Sequence, residues 1–142
     1  MKYHALAFGL LTLLVLNLPA VTQQTPSDDA AVQAAVTDYI EGYYTGDAAR
    51  MEKTLHPHYL KHVIHGNIPM REKTASQMMR DVRLEGVPDL PQTDRTEKIS
   101  VLDVSGDIAS VKLVTPRWVD YVTLSRLDGQ WKILSVVQRI DD

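Results

Sequence analysis

The sequence of 142 residues contains no cysteine and a single phenylalanine, Phe8. The absence of cysteine excludes disulfides, a thiolate nucleophile, cysteine-ligated zinc and a lipidated cysteine anchor. Because Phe8 lies in an N-terminal apolar run, the folded domain must build its core from tyrosine, tryptophan and aliphatic residues. One domain fits this length.

Basic residues are also few: 15 lysines and arginines stand against 18 acidic residues, a net charge of −3. Proteins that bind nucleic acids neutralise phosphates with clustered lysine and arginine, and no such cluster occurs along this chain. The sequence therefore predicts neither a nucleic-acid partner nor attachment to an anionic membrane surface.

The N-terminus has the layout of a secretory signal. Lys2 precedes an apolar run from Ala5 to Leu18, and small residues then allow cleavage after Ala20 or Thr22. This run is shorter than the ~20 residues that span a bilayer, so an uncleaved anchor is the less favoured alternative. We predict a signal peptide over residues 1–22, a domain over 23–142, a mature net charge of −4 after loss of Lys2, and a secreted or periplasmic location.

Apolar residues at helical spacing follow Thr25-Pro26, which can begin a helix, and continue until Gly46 ends it. Asp47 can cap a short second helix. Pro57 interrupts the chain before a short segment over residues 60–64, and a third helix is predicted over residues 71–84.

From Arg95 onward the pattern changes to strands. Four segments rich in β-branched and aromatic residues cover residues 99–104, 108–115, 118–127 and 131–138, with glycine-containing turns between them. Helices followed by antiparallel strands predict an α+β domain with its helices on one face of the sheet.

This layout resembles the nuclear transport factor 2-like superfamily, above all its small, often exported members of the putative lumazine-binding type and, more loosely, SnoaL-like proteins. The matching residues are Tyr39-Ile40-Glu41-Gly42-Tyr43, Gly46-Asp47, Leu55-His56-Pro57, Trp118-Val119-Asp120-Tyr121 and Asp128-Gly129-Gln130-Trp131-Lys132-Ile133. The resemblance implies a cone-shaped fold in which a curved antiparallel sheet wraps three N-terminal helices around a pocket. It also implies a homodimer through the outer sheet face.

All histidines of the predicted mature chain lie in one short stretch: His56, His58, His62 and His65. If the segment is a strand, His62 and His65 point to opposite faces, and His58 and His62 stand ~13 Å apart. Zinc needs three or four ligands at about 2.1 Å. We therefore predict no metal site and no cofactor.

Ketosteroid-isomerase relatives of this fold use a tyrosine on the first helix and an aspartate on the first strand. Tyr39 matches that tyrosine, but the aspartate position falls on Val63, beside His62. Direct transfer of that mechanism therefore fails, whereas a base at His62 with Asp120 polarising its imidazole remains open.

Asp120 shares one face of a predicted strand with Trp118 and Val122, where a carboxylate is costly unless it is paired or lines a wet pocket. Lys61, Arg117 or a histidine are candidate partners. The predicted ligand-binding residues are Tyr39, Tyr43, His56, His62, Trp118 and Asp120, and His62 and Asp120 would be catalytic if the protein is an enzyme.

Three functions remain open from the sequence. The first is a domain that binds a small apolar or aromatic molecule in the cone pocket. The second is an isomerase, dehydratase or cyclase that works by acid–base catalysis. The third is a dimeric interaction module with a vestigial pocket.

Overall fold

A computed structural model describes residues 27–84 and 90–141 of the chain; the predicted signal peptide lies outside them. In order, the elements are α1 (Asp28–Thr45), α2 (Ala48–Glu52), β1 (Leu55–His65), β2 (Ile68–Thr74), α3 (Ala75–Leu84), a 3-10 turn (Gln92–Asp94), β3 (Lys98–Ser105), β4 (Ile108–Val114), β5 (Trp118–Leu127) and β6 (Gln130–Ile140). The predicted α+β class is confirmed. Among the helices described here, none combines the length and apolarity needed to cross a membrane.

The boundaries of the first two helices follow from local hydrogen bonding. Ser27 caps α1, its hydroxyl accepting from the backbone N–H of Ala30, so the helix begins slightly later than the predicted Thr25-Pro26 start. Gly46 ends α1 in the left-handed conformation at φ 70°, as predicted. Asp47 caps α2 by accepting from the backbone N–H of Arg50, which is also as predicted.

The six strands form one sheet in the order β2-β1-β6-β5-β4-β3. All neighbouring strands are antiparallel except β1 and β6, which pair in parallel. The first strand of the chain thus lies beside the last one, and this pairing joins the β1–β2 hairpin to the four-stranded meander.

The predicted third helix is wrong in its first turn. Residues Ile68–Thr74 form β2, which pairs with β1 across a turn at Gly66-Asn67, and α3 begins only at Ala75. The sequence prediction missed this strand because the apolar spacing of α3 was extended back across it. Its proline and its charged residues are typical of an edge strand.

The core lies between the inner face of the sheet and the helices. On α1 it contains Val32, Val36, Tyr39 and Ile40, and from the meander it contains Val111, Leu113, Val122, Leu124, Ile133 and Val136. Helix α1 packs on β3, β4 and β6, whereas α3 packs on β1 and β2. The two helices therefore cover different parts of the same sheet face.

Helices α1 and α2 approach each other closely at Gly42. A Cβ atom there would lie 2.9 Å from the backbone nitrogen of Met51 and 3.1 Å from the backbone oxygen of Asp47. Since real Cβ atoms do not approach that closely, only glycine fits at this position without displacement of α2.

The outer face of the sheet carries apolar side chains that are partly exposed. Tyr121 on β5 and Val137 on β6 are register partners, with exposures of 53% and 42%. The predicted apolar character of this face is present, and the dimer inferred from it stays a prediction.

Candidate functional site

A cavity of about 340 Å³ lies over the inner sheet face, between α1 and α3. Its walls come from α1, β1, β2, α3, β5 and β6. The lining residues are Tyr39, Ile40, Tyr43, Lys61, Val63, Arg71, Lys73, Met78, Leu90, Arg117, Trp118, Asp120, Gln138 and Ile140. This volume lies within the range of small-molecule sites.

Asp120 lines this cavity from the inner face of β5. Its side chain is 1% exposed, and within the described part of the chain neither carboxylate oxygen has a hydrogen-bond partner. The nearest cation is Lys61 on β1, whose Nζ lies 3.7 Å from Oδ2, beyond hydrogen-bonding distance. A buried carboxylate normally accepts hydrogen bonds. The oxygens of Asp120 can therefore accept hydrogen bonds from a molecule in the cavity.

Lys61 connects Asp120 to two tyrosines. Its ammonium group donates a hydrogen bond to the hydroxyl oxygen of Tyr39 at 3.2 Å, and Tyr39 and Tyr59 share a hydrogen bond at 3.3 Å. These side chains are at most 7% exposed. The inner end of the cavity is thus a connected polar group inside an otherwise apolar core.

Burial raises the pKa of both acids at this end. Burial raises the pKa of Asp120, and Lys61, Gln138 and Trp118 oppose that rise. Burial, and then the carboxylate of Asp120, raises the pKa of Tyr39, so its hydroxyl keeps its proton at neutral pH. A protonated tyrosine and a titratable carboxyl side by side can orient a polar ligand group or transfer a proton to it.

An aromatic wall closes one side of the cavity. The rings of Trp118 and Tyr43 meet edge to face, with centroids 5.9 Å apart. Thr115 fixes the start of β5, because its hydroxyl accepts from the backbone N–H of Trp118 and donates to the carbonyl oxygen of the same residue. Such a wall suits a flat, apolar ligand.

Three cationic side chains of the lining, Arg71, Lys73 and Arg117, are exposed or partly exposed and mark the outer end of the cavity. Lys73 on β2 forms an ion pair with Asp81 at 2.7 Å, and Arg117 lies 3.7 Å from Asp94. Arg71 on β2 is exposed, and the structure gives it no ion pair with any described residue.

The structure brings four of the predicted site residues together. Tyr39, Tyr43, Trp118 and Asp120 all line the cavity, and Lys61, one of the partners considered for Asp120, lies beside that carboxylate.

The predicted position of His62 is wrong. Lys61 and Val63 point into the cavity, so His62 between them points to the outer face of β1, where its Nε2 lies 3.1 Å from Glu72. The strand alternation therefore separates His62 from Asp120.

His56 lies outside the cavity too. Its Nδ1 accepts a hydrogen bond from the backbone N–H of His58 at 3.0 Å, which shapes the chain around Pro57. Within residues 27–84 and 90–141, no group of three or more histidines and acidic residues is arranged to hold a metal ion.

Several lining residues were missed from the sequence: Lys61 as a cavity residue, Val63, Arg71, Lys73 and Gln138. A signal did exist for two of them, because Arg71 and Lys73 share one face of a strand and pair with Val63 and Lys61. Recognition of the hairpin at Gly66-Asn67 would have placed both side chains over the cavity.

Comparison with protein families identifies the chain. The model of the family described as "Putative lumazine-binding" matches residues 27–138, which is most of the chain. The protein belongs to the putative lumazine-binding family. No curated protein matches it.

Solved structures show that this lumazine-binding-family protein has the nuclear transport factor 2-like fold. A nuclear transport factor 2-like protein of unknown function from Silicibacter pomeroyi is similar at a TM-score of 0.66 and 20% identity, over 80% of this chain and 95% of that one. A ketosteroid isomerase-like protein from Erwinia carotovora is similar at a TM-score of 0.59 and 14% identity, over 80% of this chain and 95% of that one.

A third similar structure is a putative dehydratase of the same fold family from Streptomyces avermitilis, at a TM-score of 0.53 and 17% identity, over 80% and 96% of the two chains. The predicted putative lumazine-binding family and the predicted nuclear transport factor 2-like fold are therefore confirmed.

Proposed function

We propose that this protein is an exported small-molecule-binding domain that holds its ligand in the cavity between α1, α3 and the sheet. The observation that carries the proposal is Asp120, a buried carboxylate that faces the cavity; Lys61, Gln138 and Trp118 lie near it, but none of them donates a well-formed hydrogen bond to its oxygens. Leaving such a group unsatisfied costs about 1–3 kcal/mol or more, and a bound polar molecule would remove that cost.

The rest of the lining indicates the body of the ligand. Trp118, Tyr43, Ile40 and Met78 offer aromatic and aliphatic surface, which suits a mostly apolar or aromatic molecule. The description of the family as putative lumazine-binding supports a ring-shaped ligand.

Native mass spectrometry of the protein purified from its own host tests binding directly, because a retained small molecule adds its mass to the chain. The variant Val63→Phe places a larger side chain in the cavity and should lose the added mass. Ile64→Phe is the matched control, since Ile64 is the next residue on β1 and is exposed. Equal retention in both variants would contradict the cavity as the site.

A second candidate is an enzyme of the isomerase, dehydratase or cyclase type. It is favoured by the raised pKa of Asp120 beside the protonated hydroxyl of Tyr39, which fits general acid–base catalysis. Since His62 faces away from the cavity, Asp120 with Tyr39 would be the working pair. In that case Asp120→Asn should still bind the retained molecule but fail to convert it, whereas a binding protein would show no conversion in either form.

Export is proposed from the N-terminal sequence alone. N-terminal sequencing of the protein from its host should find a chain that begins at Val21 or Gln23, which follows from cleavage after Ala20 or Thr22. A chain that retains Lys2 would contradict cleavage.

A further inference from the structure

The cavity is cationic in a protein that is acidic as a whole. Among residues 27–84 and 90–141, the lining includes one carboxylate, Asp120, and four cations, Lys61, Arg71, Lys73 and Arg117, whereas the net charge of the chain is −3. Cations concentrated in a cleft of an acidic protein raise the local concentration of anions there. The question is which of these cations remain available to a ligand.

Two of these four cations, Arg71 and Arg117, remain available to bind an anion at the outer end of the cavity. Lys73 is neutralised by Asp81 at 2.7 Å, and buried Lys61 lies between Tyr39 and Asp120. Among the described residues, the ion pair of Arg117 is a long contact of 3.7 Å with Asp94. Arg71 has no ion pair among residues 27–84 and 90–141. Both guanidinium groups are exposed and border the cavity.

The two ends of the cavity therefore favour different ligand groups. At the inner end, Asp120 lacks a donor and would repel an anionic group. At the outer end, arginine presents a planar fork of N–H donors that matches a carboxylate in bidentate geometry. Between these ends lie the apolar side chains of Ile40, Met78 and Trp118.

We infer that the ligand is an aromatic carboxylate with a hydroxyl or N–H group at the opposite end of its ring system. The hydroxyl or N–H donates to Asp120, the rings lie against Trp118, and the carboxylate pairs with Arg71, while Arg117 adds to the positive potential of the cavity. This inference rests on the proposed binding function and names the class of molecule that the cavity accepts.

Matched naphthalene probes test the outer end. Isothermal titration calorimetry should show that 6-hydroxy-2-naphthoate binds the mature chain at least about tenfold more tightly than 6-hydroxy-2-naphthamide, as expected for a charge-assisted hydrogen bond. Arg71→Gln should remove most of that difference without weakening the amide. Arg139→Gln is the control, because Arg139 lies outside the cavity lining and contacts Asp141.

The inner end is tested by removal of the hydroxyl. The probe 2-naphthoate should bind the wild-type chain several-fold more weakly than 6-hydroxy-2-naphthoate, and Asp120→Ala should erase that preference. Circular dichroism of each variant at the titration temperature shows that it is folded.

The outcomes separate this inference from the proposed function. Equal affinity for the acid and the amide would overturn the anionic ligand while leaving small-molecule binding in the cavity intact. Failure of the wild-type chain to bind any of the three probes would also overturn it, and retention of a molecule in native mass spectrometry would still decide the proposed function on its own.

Discussion

The ammonium nitrogen of Lys61 lies 3.7 Å from a carboxylate oxygen of Asp120, and both side chains are nearly inaccessible to solvent. The pair connects β1 to β5 across the intervening β6. Two opposite charges buried at this distance compensate each other in part, but neither is compensated if the other is removed.

Loss of one member should therefore destabilise the protein strongly. We expect Lys61→Met to lower the free energy of unfolding by about 3 kcal/mol at neutral pH, because Asp120 would be buried without a cation. The double variant Lys61→Met/Asp120→Leu should recover to within about 1 kcal/mol of the wild type. Urea denaturation followed by tryptophan fluorescence measures both. Lys73→Met is the control, since its pair with Asp81 is partly exposed and should contribute about 1 kcal/mol or less.

Asp120 should also make stability depend on pH. Burial raises the pKa of its carboxyl above the ordinary 3.8 in the folded state. Since the unfolded chain releases this proton first, the contribution of Asp120 to the free energy of unfolding is highest below pH 3.8 and falls as the pH rises through the folded pKa. The difference between wild-type and Asp120→Asn stability, measured by urea denaturation across that interval, should shift steadily in favour of the variant. A difference that favours the wild type more as the pH rises would contradict a raised pKa.

The contact between α1 and α2 should not tolerate a side chain at Gly42. We expect Gly42→Ala to lower the free energy of unfolding by about 2 kcal/mol, as overpacking does, because the added Cβ would lie 2.9 Å from the Met51 nitrogen. Gly106→Ala is the comparison: Gly106 has a positive φ of 59° and open space around it, so backbone strain alone should cost about 1 kcal/mol, at the low end of the left-handed penalty. If thermal denaturation finds the two costs reversed, the close packing of α2 on α1 is wrong.

The outer sheet face should mediate a homodimer. Sedimentation of the mature chain at micromolar concentration should give twice the monomer mass, and Tyr121→Glu should give the monomer, because a charge in the centre of an apolar interface is not solvated. Leu84→Glu places the same charge on an exposed leucine of α3 and should leave the dimer intact. A wild-type chain that sediments as a monomer ends the proposal.

Much of this fold could be predicted because its signals are local. Gly46 and Asp47 set the helix boundary through backbone conformation and capping, and the alternation in Trp118–Leu127 placed Asp120 on the inner face. These features depend on residues a few positions apart, which the sequence displays directly.

The face of β1 could not be predicted in the same way. Leu60 and Ile64 lie on one face and Tyr59 and Val63 on the other, so alternation of apolar residues does not distinguish the two. Pairing with β6 decides between them by placing Lys61 and Val63 inward, and His62 points outward as a consequence. The cationic end of the site was missed for a related reason, since Arg71 and Lys73 acquire their position only through pairing with β1.

The parallel pairing of β1 with β6 also makes the binding site depend on contact between distant parts of the sequence. Residues 60–64 must pair with residues 135–139, which lie more than 70 positions later in the sequence, and closing so long a loop is slow. The β1–β2 hairpin carries Lys61 and Arg71, whereas the meander carries Asp120. Because Gln138 and Ile140 of β6 also line the cavity, the chain cannot complete its binding site until β6 has been made and has paired with β1.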